Sequence, residues 1–387
     1  MISKKSDVVV LGGGPAGATL AIRLALSGCS VTLIEKTAGR KHKLCGEFLS
    51  PEVRVSFREL GVLDRIMDAG AVQIDRLRLT AASGPEFVAT LPSVAIGLSR
   101  ATLDEIMLDR AAEVGVSVIR GVSVSRVNGS AADGYEIESD DGQQRSSRFV
   151  VGAFGKRSSL DRALSRGHLK QSSPWVAFKS HFSGMDIGPA IELHLFDRGY
   201  CGMSMVENGH LNACWIMHAD DLKSFGGNPN DVVSKFLTTN RALSERFVSL
   251  EPSFERYLSV GQLSFNPRGC FSRDIPLIGD AAGMISPLCG DGIAMAVESA
   301  RILSPLISSV VSDVGGFEFL RREYEDQWRQ MFERRMRLGG SLQRLLMRRR
   351  LAGPSVKLLN LVPGLGSLLI KATRGTLPPG GPIQPVH

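Results

Sequence analysis

Residues 7–36 read DVVVLGGGPAGATLAIRLALSGCSVTLIEK. Val8 to Leu11 is an unbroken apolar run, the pattern of a strand buried on both faces of a parallel sheet. Gly12, Gly14 and Gly17 follow with GxGxxG spacing. Gly12 permits a tight turn, Gly14 lets backbone approach a pyrophosphate, and Gly17 lets a helix pack closely on the strand. Pro15 suits the first helical position, where its missing N–H costs nothing. Leu20, Leu24 and Leu26 are expected on the buried side of that helix, and Gly28 ends it. Ser30 to Ile34 reads as a second strand with Glu35 at its tip. Glu35 stands 23 residues after Gly12, near the ~20 expected of an acid that binds a ribose 2′-hydroxyl. Glycine spacing alone is a weak signal. Strand, turn, helix, strand and acid in this order predict a dinucleotide-binding unit, with phosphates at the positive end of the helix. An acid at position 35 argues against a 2′-phosphate, but the unit does not decide between FAD and NAD.

A second glycine-rich stretch, GDAAGMISPLCGDGIAMAVESA (Gly279 to Ala300), bears on that choice. It follows a short apolar run, Ile275 to Ile278, that reads as a strand. A loop of small residues with Pro287 leads to a helix from about Asp291. The helix start offers free N–H groups at Gly290, Gly292 and Ile293. With the helix dipole, these can stabilise negative charge at one edge of a reduced isoalloxazine ring. Asp280, just past a strand tip, can accept from hydroxyls of a ribityl chain. The first Gly-Asp pair would hold the sugar chain, and the second would start a helix aimed at the ring. A capped, buried helix after a tight loop is the alternative.

Four blocks in order, GGGPAGATLA with IEK, KLCGEFLSPEV, LSRATLDEIMLDRAAEVGVSVIRGVSV and the Gly279–Ala300 stretch, carry a family likeness. The chain resembles the FAD-dependent oxidoreductases of the geranylgeranyl reductase and p-hydroxybenzoate hydroxylase superfamily, which also contains flavin halogenases. The resemblance implies an α/β fold: a Rossmann-like FAD-binding domain (GR2-type), an inserted antiparallel β-sheet substrate domain, and C-terminal helices. It divides the chain into an FAD-binding domain (1–70, 96–165 and 266–312), a substrate domain (71–95 and 166–265), a helical region (313–375) and a flexible tail (376–387). It implies that Gly12, Gly14, Ala16 and Gly17 hold the FAD pyrophosphate, and that Glu35, with Lys36 beside it, holds the adenosine ribose. Arg100 would reach FAD, and Val124 would meet the adenine through its backbone. Gly279 and Asp280 would lie at the ribityl-pyrophosphate region, and Pro287, Gly290, Gly292 and Ile293 at the flavin edge. Cys45 and Gly46 fall where family chains pass near the isoalloxazine. Cys45 is the candidate catalytic residue, a weak acid beside the ring; a small buried apolar role is the alternative. Ser50 is expected to cap a helix that begins at Pro51.

The chain departs from the family at VVGAFGKRSSLDR (Val150 to Arg162), where Phe154 takes the place of the usual aspartate while Gly155 and Ser158 remain. That aspartate supports both FAD and a transient nicotinamide in the family. The electron donor is therefore either NAD(P)H or a separate reductase. Between about Ser172 and Asn266 the pattern turns to alternating strands: WVAFKSHF, AIELHLF, GYCGMSMVE and HLNACWIM, with turns at Gly184, Gly199 and Gly209. IDRLRLTA and EFVATL add two more. His194 and Trp215 are possible cavity residues, with ordinary sheet packing the commoner role.

The 387 residues are 43% hydrophobic and 22% charged, an ordinary globular balance. Aromatics at 6% argue against nucleic acid held by stacked rings. Six cysteines without a CxxC pair suggest neither a disulfide scaffold nor a metal site, and fit a reducing cytoplasm. Net charge is +7, and the excess is local: ten arginines face four acids between Arg321 and Arg350. Most are expected on a solvated helix face. Peripheral contact with anionic lipid is the alternative if the substrate is a lipid. The function expected is an FAD-dependent oxidoreductase passing hydride through the flavin to an apolar isoprenoid, polyketide or aromatic-type molecule. The alternative is a monooxygenase on the same scaffold. A halogenase, for which no WxWxIP motif is present, and a non-catalytic flavin-binding protein stand behind these.

Overall fold

The computed structural model describes residues 6–167, 172–312, 316–362 and 364–373. The expected tail, 376–387, lies outside the described residues. Strand β1 (Ser6–Leu11) leads through the glycine turn into helix α1 (Pro15–Leu26) and strand β2 (Val31–Glu35). β1 and β2 pair in parallel, Val8 opposite Val31. Leu20, Ile22, Leu24 and Leu33 are fully buried, each contributing roughly 1.5–3 kcal/mol. Leu26 is 56% exposed, not buried. It is the last residue of α1.

The chain then makes β3 (Phe48–Leu49) and helices α2 (Val53–Glu59) and α3 (Leu63–Asp68). The expected helix start at Ser50–Pro51 is corrected: Pro51 and Glu52 form a turn closed by the Val53 N–H on the Ser50 carbonyl at 3.2 Å. The Ser50 hydroxyl is buried and caps nothing. The hairpin β4 (Val72–Ala81) and β5 (Glu86–Gly97) precedes helix α4 (Arg100–Glu113), which Ser99 caps by accepting from the Thr102 N–H. Strands β6 (Ser117–Arg120), β7 (Val124–Ser130), β8 (Gly134–Ser139) and β9 (Gln144–Gly152) complete a six-stranded sheet of order β6-β2-β1-β9-β8-β7. Its four central-to-edge strands β6, β2, β1 and β9 run parallel, and β7–β8–β9 is an antiparallel meander.

After α5 (Ser159–Ala163) come β10 (Trp175–Ser183), β11 (Ala190–Phe196), β12 (Gly199–Met205) and β13 (Leu211–His218). With β4, β5, β3 and short edge strands they form a second sheet, antiparallel except where β11 meets β4. The period of two gives this sheet two apolar faces. Val176, Phe178, Met203 and Met217 pack outward beneath Val232, Leu237 and Leu243, from the segment that holds α6 (Ala219–Ser224), α7 (Pro229–Asp231) and α8 (Arg241–Phe247). Ala177, Leu195, Tyr200 and Ile216 face inward with Met284, Met347 and Val356.

Only Ile275–Pro276 of the expected 275–278 strand is laddered; Leu277 then bridges Gly152, and Ile278 donates to the Gly152 carbonyl at 3.0 Å. Helix α9 (Gly292–Val311) packs along α1, and α10 (Phe317–Trp328), α11 (Arg334–Leu346), α12 (Arg349–Leu361) and α13 (Leu365–Thr373) follow. α9 is long and apolar enough to cross a membrane, but 72% of its apolar window is buried inside the protein.

Candidate active site

A cavity of about 1190 Å³ lies where the two sheets and the C-terminal helices meet. One wall is the β1–α1 turn. Gly12 has φ +114°, and a Cβ there would stand 2.4 Å from the Ala153 carbonyl oxygen. A Cβ on Gly17 would stand 1.9 Å from the Gly12 oxygen. These two glycines are therefore required by packing. At the tip of β2, Glu35 Oε2 accepts the Gly13 N–H at 2.7 Å and Oε1 the Thr37 N–H at 3.1 Å. Burial pushes the Glu35 carboxyl up, but Lys43 at 3.8 Å and these N–H groups outweigh it and hold it below its usual range. Arg100 is clamped on Asp104 at 2.9 and 3.0 Å, with Nη2 3.3 Å from where a Gly14 Cβ would stand. Burial would lower the Arg100 guanidinium, yet Asp104 raises it above its ordinary value.

The cavity has the space and the helix N-termini that a phosphate-bearing, partly apolar ligand needs. Gly46, Gly155 and Gly292 line the cavity, and a Cβ at any of them would meet nothing within 4 Å. The N-termini of α1 and α9 both border it, and neither carries a side-chain cap. A model of the FAD binding domain matches residues 5–337. The chain belongs to that family. It is an FAD-dependent oxidoreductase, and its cofactor is FAD.

Similar family proteins include digeranylgeranylglycerophospholipid reductase 2 of Methanothermobacter thermautotrophicus, 28% identical over 393 residues that cover 94% of this chain and 89% of the relative. Menaquinone reductase of Mycolicibacterium smegmatis is 26% identical over 377 residues, 89% of this chain and 84% of the relative. The flavin-dependent brominase Bmp2 superposes with a TM-score of 0.82 at 20% identity, covering 96% and 93% of the two chains. At that identity the likeness speaks to the fold.

Seventeen of the sequence-selected positions border the FAD-family cavity. Gly12, Gly14, Pro15, Ala16, Glu35 and Lys36 do so at the first strand–helix–strand unit, and Arg100, Val124 and Gly155 beside it. Cys45 and Gly46 border it from the 43–47 segment, and Gly279, Asp280, Pro287, Gly290, Gly292 and Ile293 from the loop before α9. Gly17 does not; it is set back beneath the Gly12 carbonyl. Phe154 also lines the cavity. Asp291 does not cap α9: its carboxylate is fully buried and pairs with Arg335 on α11 at 2.8 Å. Arg335 is thereby buried, while most arginines of this region are exposed, as expected. His194 points away from the cavity, which its neighbour Leu193 lines; it is buried against Thr80 at 2.8 Å and Glu192 at 3.0 Å. Trp215 borders the cavity, while its ring packs on Phe178 and Tyr257.

Sequence reasoning missed how the Cys45 segment is held. Lys179 and Glu47 are both fully buried and form an ion pair. Lys179 Nζ also donates to the Lys43 carbonyl at 3.2 Å. Lys156 Nζ donates to the Leu44 carbonyl at 3.0 Å, and Asn212 Nδ2 to the Gly46 carbonyl at 2.8 Å. Glu47 sits at φ 55°. It accepts the Arg100 N–H at 2.7 Å, and its other oxygen lies 2.6 Å from His181 Nε2. Burial pushes the Glu47 carboxyl up, but His181 and Lys179 bring it below its usual range. Cys45 Sγ accepts the Glu47 N–H at 3.3 Å. Side chains from β10, β13 and the loop after β9 thus fix the backbone that presents Cys45 to the cavity. The signal was Lys179 itself, a lysine inside the strand pattern WVAFKSHF.

Proposed function

We propose that this oxidoreductase adds hydrogen across a carbon–carbon double bond of an apolar, isoprenoid-type molecule. The cavity carries the reading. Its volume exceeds the ~300–1,000 Å³ of ordinary ligand clefts, which leaves room for a second molecule beside the cofactor. The wall away from the cradle, with Leu77, Leu79, Leu91, Ile191, Leu193 and Ile216, has no charged side chain. Such a wall suits a substrate that is apolar along its length.

FAD, when bound and reduced, would supply the hydride. The chain supplies orientation, exclusion of water and a proton. Cys45 and Tyr200 both border the cavity. Burial holds the Tyr200 hydroxyl well above its ordinary range, so it stays protonated. We assign proton delivery to the Cys45 thiol, because the network around Glu47 fixes its backbone. Hydride to one carbon and a proton from Cys45 to its neighbour would convert the double bond to a single bond, with two electrons to be resupplied for each turnover. Reducing equivalents then come from NAD(P)H or from a separate reductase. Phe154 in place of the family aspartate favours the second. The names of two relatives, a menaquinone reductase and a digeranylgeranylglycerophospholipid reductase, agree with reduction of an apolar molecule. Hydroxylation in the same cavity is the competing reading, because a dry apolar chamber also serves oxygen transfer.

The test mixes chemically reduced holoenzyme with a geranylgeranyl-chain alkene without oxygen. Reoxidation, a product heavier by two hydrogens, and slowing by Cys45→Ala are expected. Turnover only with labelled O₂, with one labelled oxygen in the product, would replace this reading by the hydroxylase.

A further inference from the structure

We infer that the outer face of α11, α12 and α13 docks flat on an anionic lipid bilayer, and that the cavity is loaded from that surface. The second half of this inference rests on the apolar-substrate reading above. Between Arg334 and Thr373 the sequence holds nine Lys and Arg and no acid. Arg335 is buried against Asp291, and Arg337 pairs with Glu333. Arg344, Arg348, Arg349, Arg350, Lys357 and Lys371 are exposed, with no ion pair among the described residues.

Large apolar side chains are exposed on the same helices. Leu351, Leu358 and Leu361 are 37%, 49% and 77% exposed, and their spacing aligns them along α12. Leu368 on α13 is 62% exposed. Leucines beside unpaired cations are the pattern of a helix lying in a lipid interface. The opposite faces of the same helices line the cavity with Leu346, Leu359, Leu369 and Ile370. One layer of helix therefore separates the cavity from the proposed surface.

The start of α12 adds an independent reason. Arg349 and Arg350 occupy its first turn after Arg348, and no side chain caps it. Cations at the positive end of a helix are unfavourable. Lipid phosphates there would satisfy the free N–H groups and the guanidinium groups together. The 13 and 9 residues of α12 and α13 span about 20 and 14 Å, short of the ~30 Å hydrocarbon core. They lie along a bilayer and do not cross it. From Arg334 to Thr373 there is no aromatic residue, so the face lacks the rings that anchor protein partners or stack on bases.

The test floats full-length holoprotein with vesicles of phosphatidylcholine, alone or mixed with phosphatidylglycerol, at ~0.15 M salt. Binding to the mixed vesicles, at least tenfold over neutral ones and lost near ~1 M salt, is expected. Arg348→Ala, Arg349→Ala and Arg350→Ala together should lower partitioning about a hundredfold. Leu358→Ser with Leu361→Ser should lower it further. Unchanged flavin absorbance and melting temperature show that the variants are folded. Absence of wild-type flotation, equal binding to neutral vesicles, or a triple variant that floats like wild type overturns the inference. So does a stable dimer that the two leucine changes dissociate. No substrate enters this assay, so its failure leaves the alkene reaction untouched, and failure of that reaction leaves flotation unaffected.

Discussion

Lys179→Met tests whether the Cys45 segment depends on one buried ion pair. The substitution keeps most of the apolar stem but leaves the Glu47 carboxylate fully buried, with the Arg100 N–H and His181 as its remaining partners. Breaking a buried pair from one side costs about 3–5 kcal/mol, a large part of the ~5–15 kcal/mol that holds a domain folded. Urea unfolding of the holoprotein at neutral pH, followed by flavin fluorescence and far-UV circular dichroism, should show that loss. The pH dependence has a defined sign. In the native protein Glu47 is held below its ordinary value of 4.5, so its contribution is complete above that value and lost as pH falls through the native one. Without Lys179 the carboxyl rises and takes up a proton nearer neutrality. The deficit of the variant should therefore shrink as pH falls from 7 toward 5. Adding Glu47→Gln removes the stranded charge and should recover most of the loss. A single variant within ~0.5 kcal/mol of wild type, or a double variant no more stable than the single, refutes the account.

Glu35→Ala and Asp280→Ala should each weaken FAD binding about ten- to a hundredfold, the loss of charge-assisted hydrogen bonds worth roughly 1.5–3 kcal/mol; titration of apoprotein by flavin fluorescence reads it directly, and unchanged affinity in both would remove them from the cofactor site. Acid stability offers a separate check. Burial pushes the Glu192 carboxyl up, but His194 and Arg246 bring it down to about 2. Its contribution is thus full above 4.5 and lost between 4.5 and about 2. Glu192→Gln should flatten the stability slope in that window by on the order of 3 kcal/mol, and an unchanged slope in acid-titrated urea melts would count against the pair.

That Gly12, Glu35 and the Gly279–Ile293 loop would come together was legible because the signals are local. Gly12 to Glu35 is one strand–helix–strand unit, and Gly279 to Ile293 is one loop, so spacing alone orders the chemistry. The alternation in β10 to β13 likewise announced the second sheet. The network beneath Cys45 was not legible, because Glu47 and His181 are 134 residues apart and only the tertiary fold brings them together. Asp291 was legible only in part: its place at the start of α9 could be read, but its carboxylate's partner, the Arg335 guanidinium arriving from α11, could not. His194 and Leu193 show the limit of a composition argument within a strand, since one step of register decides which of two neighbours faces the cavity.

The parallel pairing of β4 with β11 sets a schedule for synthesis. Leu79 opposes Leu193, so Leu79 leaves the ribosome 114 residues before the partner that covers it. At ~5–20 residues per second that is a wait of about 6–20 s. During that interval the hairpin presents an unpaired strand edge, the kind of surface that templates misassembly. The nascent chain should therefore be most dependent on chaperones while residues 97 to 190 are being made. Slowed translation within that window should lower the soluble yield more than the same delay placed after β13.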